Sequence, residues 1–284
     1  MRTLSEYRAH GRDVLKQAGI ESSSIDADLL LIHAAKIDLN TLLTDVHTPV
    51  CENAADVFLK LLEQRRNYTP IQHILGKCEF MSLDFAVTAD VLIPRPDTEI
   101  LVEVVLALAA RLPRPLYGLE IGTGSGCISI ALAHHAANIT MLGVDISLKA
   151  LRVAEQNRAD HGLDSKVELI QSDLFEDVPR GTPFDLIISN PPYIKTSDIG
   201  GLGKSVKNYE PYLALDGGMD GLEFYRRIAC AAPDYLCEGG SIFLEIGHDQ
   251  GGDVTSILAA AGFVDIEVVQ DLTGKDRVVR ACLA

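Results

Sequence analysis

Basic side chains are in short supply: 25 lysines and arginines face 40 aspartates and glutamates, a formal net charge of −15. That balance argues against a protein whose affinity comes from neutralising many phosphates in a broad basic groove, so nucleic acid is not the expected partner. Any CxxC pair is also missing. Cys51, Cys78, Cys127, Cys230, Cys237 and Cys282 are scattered among apolar stretches and read as reduced, buried small hydrophobes of a cytoplasmic protein. No apolar run approaches the length of a membrane span, and residues 1–20 hold no signal-peptide core. No internal repeat or low-complexity tract interrupts the pattern. His134 and His135 lie together in one predicted helix, and no other histidine or cysteine stands at ligand spacing, so no metal site is expected. What is present is 284 residues, 47% of them hydrophobic, enough for one large domain and a smaller one.

The apolar pattern divides the chain in three. Residues 1–75 read as a small helical domain: Ala27, Leu30, Leu31 and Ala34 recur at helical spacing behind a serine-rich start, and Ala54, Phe58, Leu61 and Leu62 do so in a second segment. Residues 76–93, with short apolar and β-branched runs around turn residues, predict a hairpin linker. From 94 to 284, apolar runs such as YGLEIG, ITMLGVD, KVELIQSD, FDLIISN and SIFLEIG alternate with helical stretches. This alternation predicts an α/β fold with a doubly wound, mostly parallel sheet, which binds ligands beyond the C-terminal ends of its strands.

The functional candidates all fall at those ends. In LEIGTGSGCIS, Gly122, Gly124 and Gly126 turn the chain from strand to helix without side chains, together with Thr123 and Ser125. The spacing is GxGxG rather than the dinucleotide fingerprint, and the acidic Glu120 just before it disfavours a pyrophosphate but suits a cationic sulfonium or ammonium. This points to S-adenosylmethionine over a nicotinamide cofactor. Asp145, ending the next strand, is placed to accept both ribose hydroxyls, or alternatively to cap the following helix. Asp173 is placed to accept an adenine amine, with Leu174 against the ring.

The fourth strand ends in Asn190, Pro191, Pro192 and Tyr193. Each proline drives the preceding residue toward extended backbone, leaving Asn190 and Pro191 stiff and their carbonyls unused by a helix. The Asn190 side-chain oxygen and the Pro191 main-chain oxygen can together accept the two N–H bonds of a planar NH2 group, with Tyr193 stacked on its plane. An amide nitrogen is a poor nucleophile, so acceptors that stabilise positive charge developing on it and hold it in line with an activated methyl are what its methylation requires. No metal or covalent nucleophile is needed, and no general base stands out. Elsewhere, in IPRPDTE, which holds Arg95, Asp97 and Glu99, Pro96 and Asp97 can start and cap the following helix, or the segment lines the methyl-transfer cleft; Glu210 reads as a surface turn residue or a contact for a substrate loop; His248 reads as a surface or cleft-rim residue.

Taken together, EIGTGSG, GVDIS, SDLF and NPPYI resemble the class I S-adenosylmethionine-dependent methyltransferases that modify planar nitrogens. The added PIQHILG, FMSLDFAV, VLIPRPDTE and NYEPYLALDGGMDGLEFYRRI segments narrow the resemblance to the release-factor glutamine methyltransferases, over essentially the whole chain. The resemblance implies S-adenosylmethionine held by Glu120, Gly122 through Gly126, Asp145, Asp173, Leu174 and Asn190, and a substrate clamp of Asn190, Pro191, Pro192 and Tyr193. It implies as substrates peptide chain release factors 1 and 2, methylated at N5 of the Gly-Gly-Gln glutamine, with the helical domain recognising them and the enzyme a monomer. The stretch 195–208 is glycine-rich where a more acidic, helical segment is expected of the family. Two alternatives remain at this point: an N6-adenine or other planar-amine methyltransferase, and a non-enzymatic cofactor-binding module.

Overall fold

The protein is described from a computed structural model covering residues 2–181 and 183–284. Two compact units emerge: Met1–Lys77 with Gly203–Tyr209, and Cys78–Leu202 with Glu210–Ala284.

The first unit is helical, with α1 (Leu4–Gln17), α2 (Ser23–Ala35), α3 (Leu39–Thr44), α4 (Glu52–Arg66) and α5 (Ile71–Leu75). Thr3 and Glu6 form a reciprocal capping box at the start of α1, each satisfying a backbone N–H that the helix cannot. The serine-rich start of α2 works differently from expectation: Ser22 makes no side-chain cap and donates instead to Asp26. Asp26 is buried and paired with Arg65 at 2.6 Å. Leu15, Leu30, Leu31, Leu42 and Phe58 form the core of this unit. The distant segment 203–209 belongs to it as well: the Lys204 ammonium lies over the Tyr68 ring, 4.4 Å from its centre, and the Tyr209 hydroxyl donates to the Asn67 carbonyl. Pattern reading placed only residues 1–75 there.

The second unit opens with the expected hairpin, β1 (Lys77–Phe80) and β2 (Leu83–Ala86), followed by α6 (Pro96–Ala109). Next come β3 (Leu116–Ile121), α7 (Cys127–His135), β4 (Ile139–Asp145), α8 (Leu148–Asp160), β5 (Val167–Gln171) and β6 (Phe184–Ser189). After the short α9 (Lys204–Lys207), the chain finishes with α10 (Glu223–Ala231), β7 (Leu236–Glu245), α11 (Gly251–Ala260), β8 (Phe263–Gln270) and β9 (Asp276–Leu283). The seven-stranded sheet runs β5-β4-β3-β6-β7-β9-β8, parallel except for β9, which is antiparallel to both β7 and β8. The chain winds outward from β3 to β4 and β5, then returns to place β6 on the other side. The β3/β6 crevice is therefore the topological switch point, where such sheets open a site. Two buried cores cover the two faces, one around Tyr225 and Ile187, the other around Phe85 and Ile130.

Local details depart from expectation. Cys127 is buried, but Cys51 and Cys230 are exposed, because they sit at the start of α4 and on the outer side of α10. The glycine-rich stretch after residue 195 is not featureless: it forms a 3-10 helix at Thr196–Gly201 and then α9. No helix among the described residues is long and apolar enough to cross a membrane, and these residues hold no cluster able to bind a metal.

Candidate active site

One cleft opens at the C-terminal ends of β3, β4 and β6, and its lining includes Glu120, Gly122, Asp145, Asp173, Leu174 and Asn190. The turn after β3 is fixed by the N–H groups of Gly122 and Thr123, which both donate to the Val144 carbonyl. Gly122 and Gly124 have φ of +75° and +55°, and a Cβ on either would meet nothing within 4 Å; they supply the left-handed turn and leave its surface open. Gly126 is needed for closeness instead: a Cβ there would lie 3.0 Å from Ile130 and 3.2 Å from Ala154, which brings α7 against α8. Thr123 and Ser125 are both buried. Ser125 gives its carbonyl to Asn157, whose amide also pairs with Ala86 of the hairpin.

Glu120 is 1% exposed. The Thr123 hydroxyl (2.7 Å), the Ser129 N–H (3.0 Å) and the Ser129 hydroxyl all donate to its Oε2. Among the described residues, Oε1 is left with no protein donor. Burial raises the pKa of this carboxyl to about 7 despite those hydrogen bonds. A cation in the cleft is the partner such a group lacks. Asp145 accepts from Gly124 N–H at one oxygen (2.8 Å) and from Ser147 N–H at the other (2.9 Å), so each keeps a lone pair for a diol. Ser147, not Asp145, caps α8. Burial also raises the Asp145 pKa. Asp173 pairs with Arg227 at 2.8 Å, which leaves its second oxygen for an amine, and Leu174 beside it adopts φ +53°. One cationic centre, one diol and one aromatic amine fit this set of acceptors, and S-adenosylmethionine carries all three.

Asn190, Pro191 and Pro192 follow β6 and line the same cleft. The Asn190 Nδ2 donates to the Thr98 hydroxyl at 3.2 Å. No described residue donates to Asn190 Oδ1 or to the Pro191 carbonyl, so both acceptors are available. Tyr193 is placed elsewhere than expected. It is not among the cleft-lining residues; it packs against the core around Tyr225, and burial beside Glu245 raises its pKa to about 12. Its carbonyl accepts from the Gln250 amide, which also binds the Gly221 carbonyl, so the turn is braced from below.

Other residues take roles that the sequence reading did not give them. Glu210, read as a surface or loop contact, is buried: it pairs with Arg95 and accepts from the Ile93 N–H, and so ties two loops beside the cleft. Asp97 pairs with Arg277 at 3.0 Å instead of capping α6, where Pro96 holds the first turn. Glu99 accepts from Met81 N–H in the hairpin. His248 is exposed. Thr98 and Glu245 were passed over altogether, although both are buried next to Asn190 and Thr98 also lines the cleft. A signal was available for Glu245: the tetrapeptide LEIG occurs twice, at 119–122 and at 244–247, each time placing a glutamate at or next to the last residue of an apolar strand.

Two family profiles match the chain, the "PrmC N-terminal domain" over residues 6–76 and the "Methyltransferase small domain" over residues 98–202. A release factor glutamine methyltransferase of Clostridium acetobutylicum is 42% identical over 269 residues, 94% of each chain. One of Agrobacterium fabrum is 39% identical over 280 residues, covering 98% of this chain and 96% of the relative. Among solved structures, a methyltransferase from Pyrococcus furiosus shares the fold at a TM-score of 0.51 and 20% identity, over 70% of this chain and 88% of that one.

Proposed function

Because this chain belongs to the release factor glutamine methyltransferase family, we propose that its cleft methylates the side-chain N5 of the Gly-Gly-Gln glutamine of bacterial class 1 release factors. S-adenosylmethionine is the cofactor, and when bound it supplies a methyl group already activated on a sulfonium. In our reading Glu120 Oε1 faces the cationic amino-acid end of that molecule, the Asp145 carboxylate takes the ribose hydroxyls, and Asp173 with Leu174 holds the adenine.

The observation that carries the assignment is the orientation of Asn190. With Nδ2 engaged by Thr98, Oδ1 is left without a donor among the described residues, as is the Pro191 carbonyl, and both residues line the cleft. Two acceptors on proline-stiffened backbone match the two N–H bonds of a carboxamide and hold its nitrogen in place. As the new N–C bond forms, positive charge grows on that nitrogen, and the two oxygens are aimed at the hydrogens that carry it. One of those protons then leaves to water or a neighbouring carbonyl, giving N5-methylglutamine. Tyr193 braces this turn from the core side.

The helical unit is the part we assign to holding the release factor. It presents Ile25 and Leu29 on α2 and Leu39 and Leu43 on α3 as exposed large apolar side chains. The overall negative charge favours approach of a basic protein. We assign both release factors 1 and 2 as substrates, met in the cytoplasm by a monomeric enzyme.

The test is methyl transfer from labelled S-adenosylmethionine to purified release factors, to their Gln-to-Ala motif variants and to adenine-containing DNA, with mass spectrometry of the product. One methyl on the motif glutamine, absent from the variants, supports the proposal. Label only on DNA overturns it.

A further inference from the structure

Glu245 ends β7 with only 2% of its surface exposed, and its Oε2 makes no hydrogen bond. A carboxyl buried in this way is costly, and an apolar side chain of similar size would pack there at less cost. The groups facing it come from several elements: the Thr98 hydroxyl and Asp97 from α6, the Asn190 amide and the Tyr193 phenol after β6, and Arg277 from β9. The Tyr225 hydroxyl donates to its main-chain oxygen at 2.9 Å.

Proton counting along this cluster gives it a direction. A carboxylate only accepts, and a hydroxyl has a single proton to give. The Thr98 hydroxyl and the Asn190 side-chain NH2 both face the Glu245 carboxyl; with the Thr98 proton turned to that carboxylate, the Thr98 oxygen can only accept, and what it accepts is one Asn190 Nδ2 proton at 3.2 Å, while the other lies toward the same carboxylate. The carboxamide is then locked with its oxygen toward the cleft. We propose that Glu245, acting through Thr98, is a positioning residue that sets which end of the Asn190 carboxamide faces the substrate nitrogen. The inference rests on the reading of Asn190 as the acceptor for the substrate amide.

Protonating Glu245 reverses the chain. A carboxylic acid donates to Thr98, Thr98 donates its own proton to Asn190 Oδ1, and the carboxamide turns its NH2 to the cleft. Donor then faces donor, and the substrate amide loses a partner. Burial raises the Glu245 pKa to about 7, against the opposing pull of Thr98, Arg277 and Asn190, so the reversal falls near neutral pH. Tyr193 stays neutral throughout that range.

The test uses the full-length protein and E245Q, T98V and T98S. Turnover on release factor is followed from pH 5.5 to 9, S-adenosylhomocysteine affinity by calorimetry, and folding by melting temperature. In parallel, the Asn190 side-chain amide is followed by 15N NMR and assigned by its loss in N190D. We expect kcat to fall by about 10- to 100-fold in T98V and E245Q, with cofactor-product affinity changed less than about threefold, and T98S to restore most of it. The wild-type kcat and the Asn190 amide shift should both titrate through about 7, and E245Q should abolish both transitions. Folded T98V and E245Q with near wild-type kcat, or an Asn190 amide that is indifferent to pH in the wild type, overturns the proposal. A wild type inactive on release factor but with a titrating Asn190 signal overturns the substrate reading and leaves the positioning chain standing.

Discussion

Cofactor binding should be coupled to the ionisation of Glu120. Three donors crowd its Oε2, no described residue donates to Oε1, the residue lines the cleft, and burial raises the carboxyl pKa to about 7. Near pH 6 only about one molecule in ten then carries the charge that a cationic ligand needs, against about nine in ten near pH 8. The apparent dissociation constant is the intrinsic one divided by that fraction, so affinity should improve about tenfold, or about 1.4 kcal/mol, between those two values. The sign follows from the charge: a bound cation lowers the carboxyl pKa, so binding at low pH expels a proton. Calorimetry with S-adenosylmethionine in buffers of different ionisation enthalpy reads both quantities, nearly one proton released at pH 6 and almost none at pH 8. Glu120→Gln is the control. The free ligand's amine titrates identically in both experiments, so the difference between the two proteins reports the contribution of Glu120. Wild-type affinity that tracks the variant across this range, with no excess proton release, would refute the reasoning.

Asp145→Ala removes an acceptor on which each oxygen holds one backbone N–H and offers the ribose another site; cofactor affinity measured by calorimetry should fall by about 10- to 100-fold, the loss of one or two hydrogen bonds to a charged group. Asn190→Ala deletes the side-chain acceptor, so kcat on release factor should drop by about 100- to 1000-fold while the protein stays folded by circular dichroism; unchanged turnover would remove Asn190 from the reaction. Arg95→Ala strands the buried Glu210 carboxylate, and chemical denaturation should show a loss of about 3 kcal/mol, largely relieved in the double variant with Glu210→Gln. Gly126→Ala combines a φ of +81° with a Cβ placed 3.0 Å from Ile130; a destabilisation of about 1–3 kcal/mol in the same assay is expected.

Much of the architecture was legible in the sequence because it depends on short-range periodicity. Strand and helix alternation predicted the parallel sheet, and the apolar spacing of the first 75 residues predicted a helical unit. Gly122, Asp145, Asp173 and Asn190 each end a strand or follow one closely, so a sheet rule was enough to bring them to one cleft. Residues whose role depends on a partner far along the chain were not legible. Glu210 looked like a turn residue because Arg95, 115 positions earlier, gives no local sign of pairing with it. Asp97 looked like a cap until Arg277 was placed beside it. Segment 203–209 could not be assigned to the helical unit from its composition, since contacts such as Lys204–Tyr68 and Tyr209–Asn67, with partners far back in the chain, put it there.

What the sequence alone determined is the chemistry on offer: a glycine turn behind a glutamate, an aspartate at each of the next two strand ends, and an asparagine stiffened by two prolines. These are local facts of covalent geometry and side-chain type, and they hold wherever the chain goes. Direction was decided only in three dimensions. The Asn190 amide nitrogen meets the hydroxyl of Thr98, 92 residues away, and lies beside a glutamate at the end of a different strand. Tyr193 follows the same motif, yet it points to the core and not the cleft. A hydrogen bond takes its sense from both partners, and the sequence names only one of them at a time.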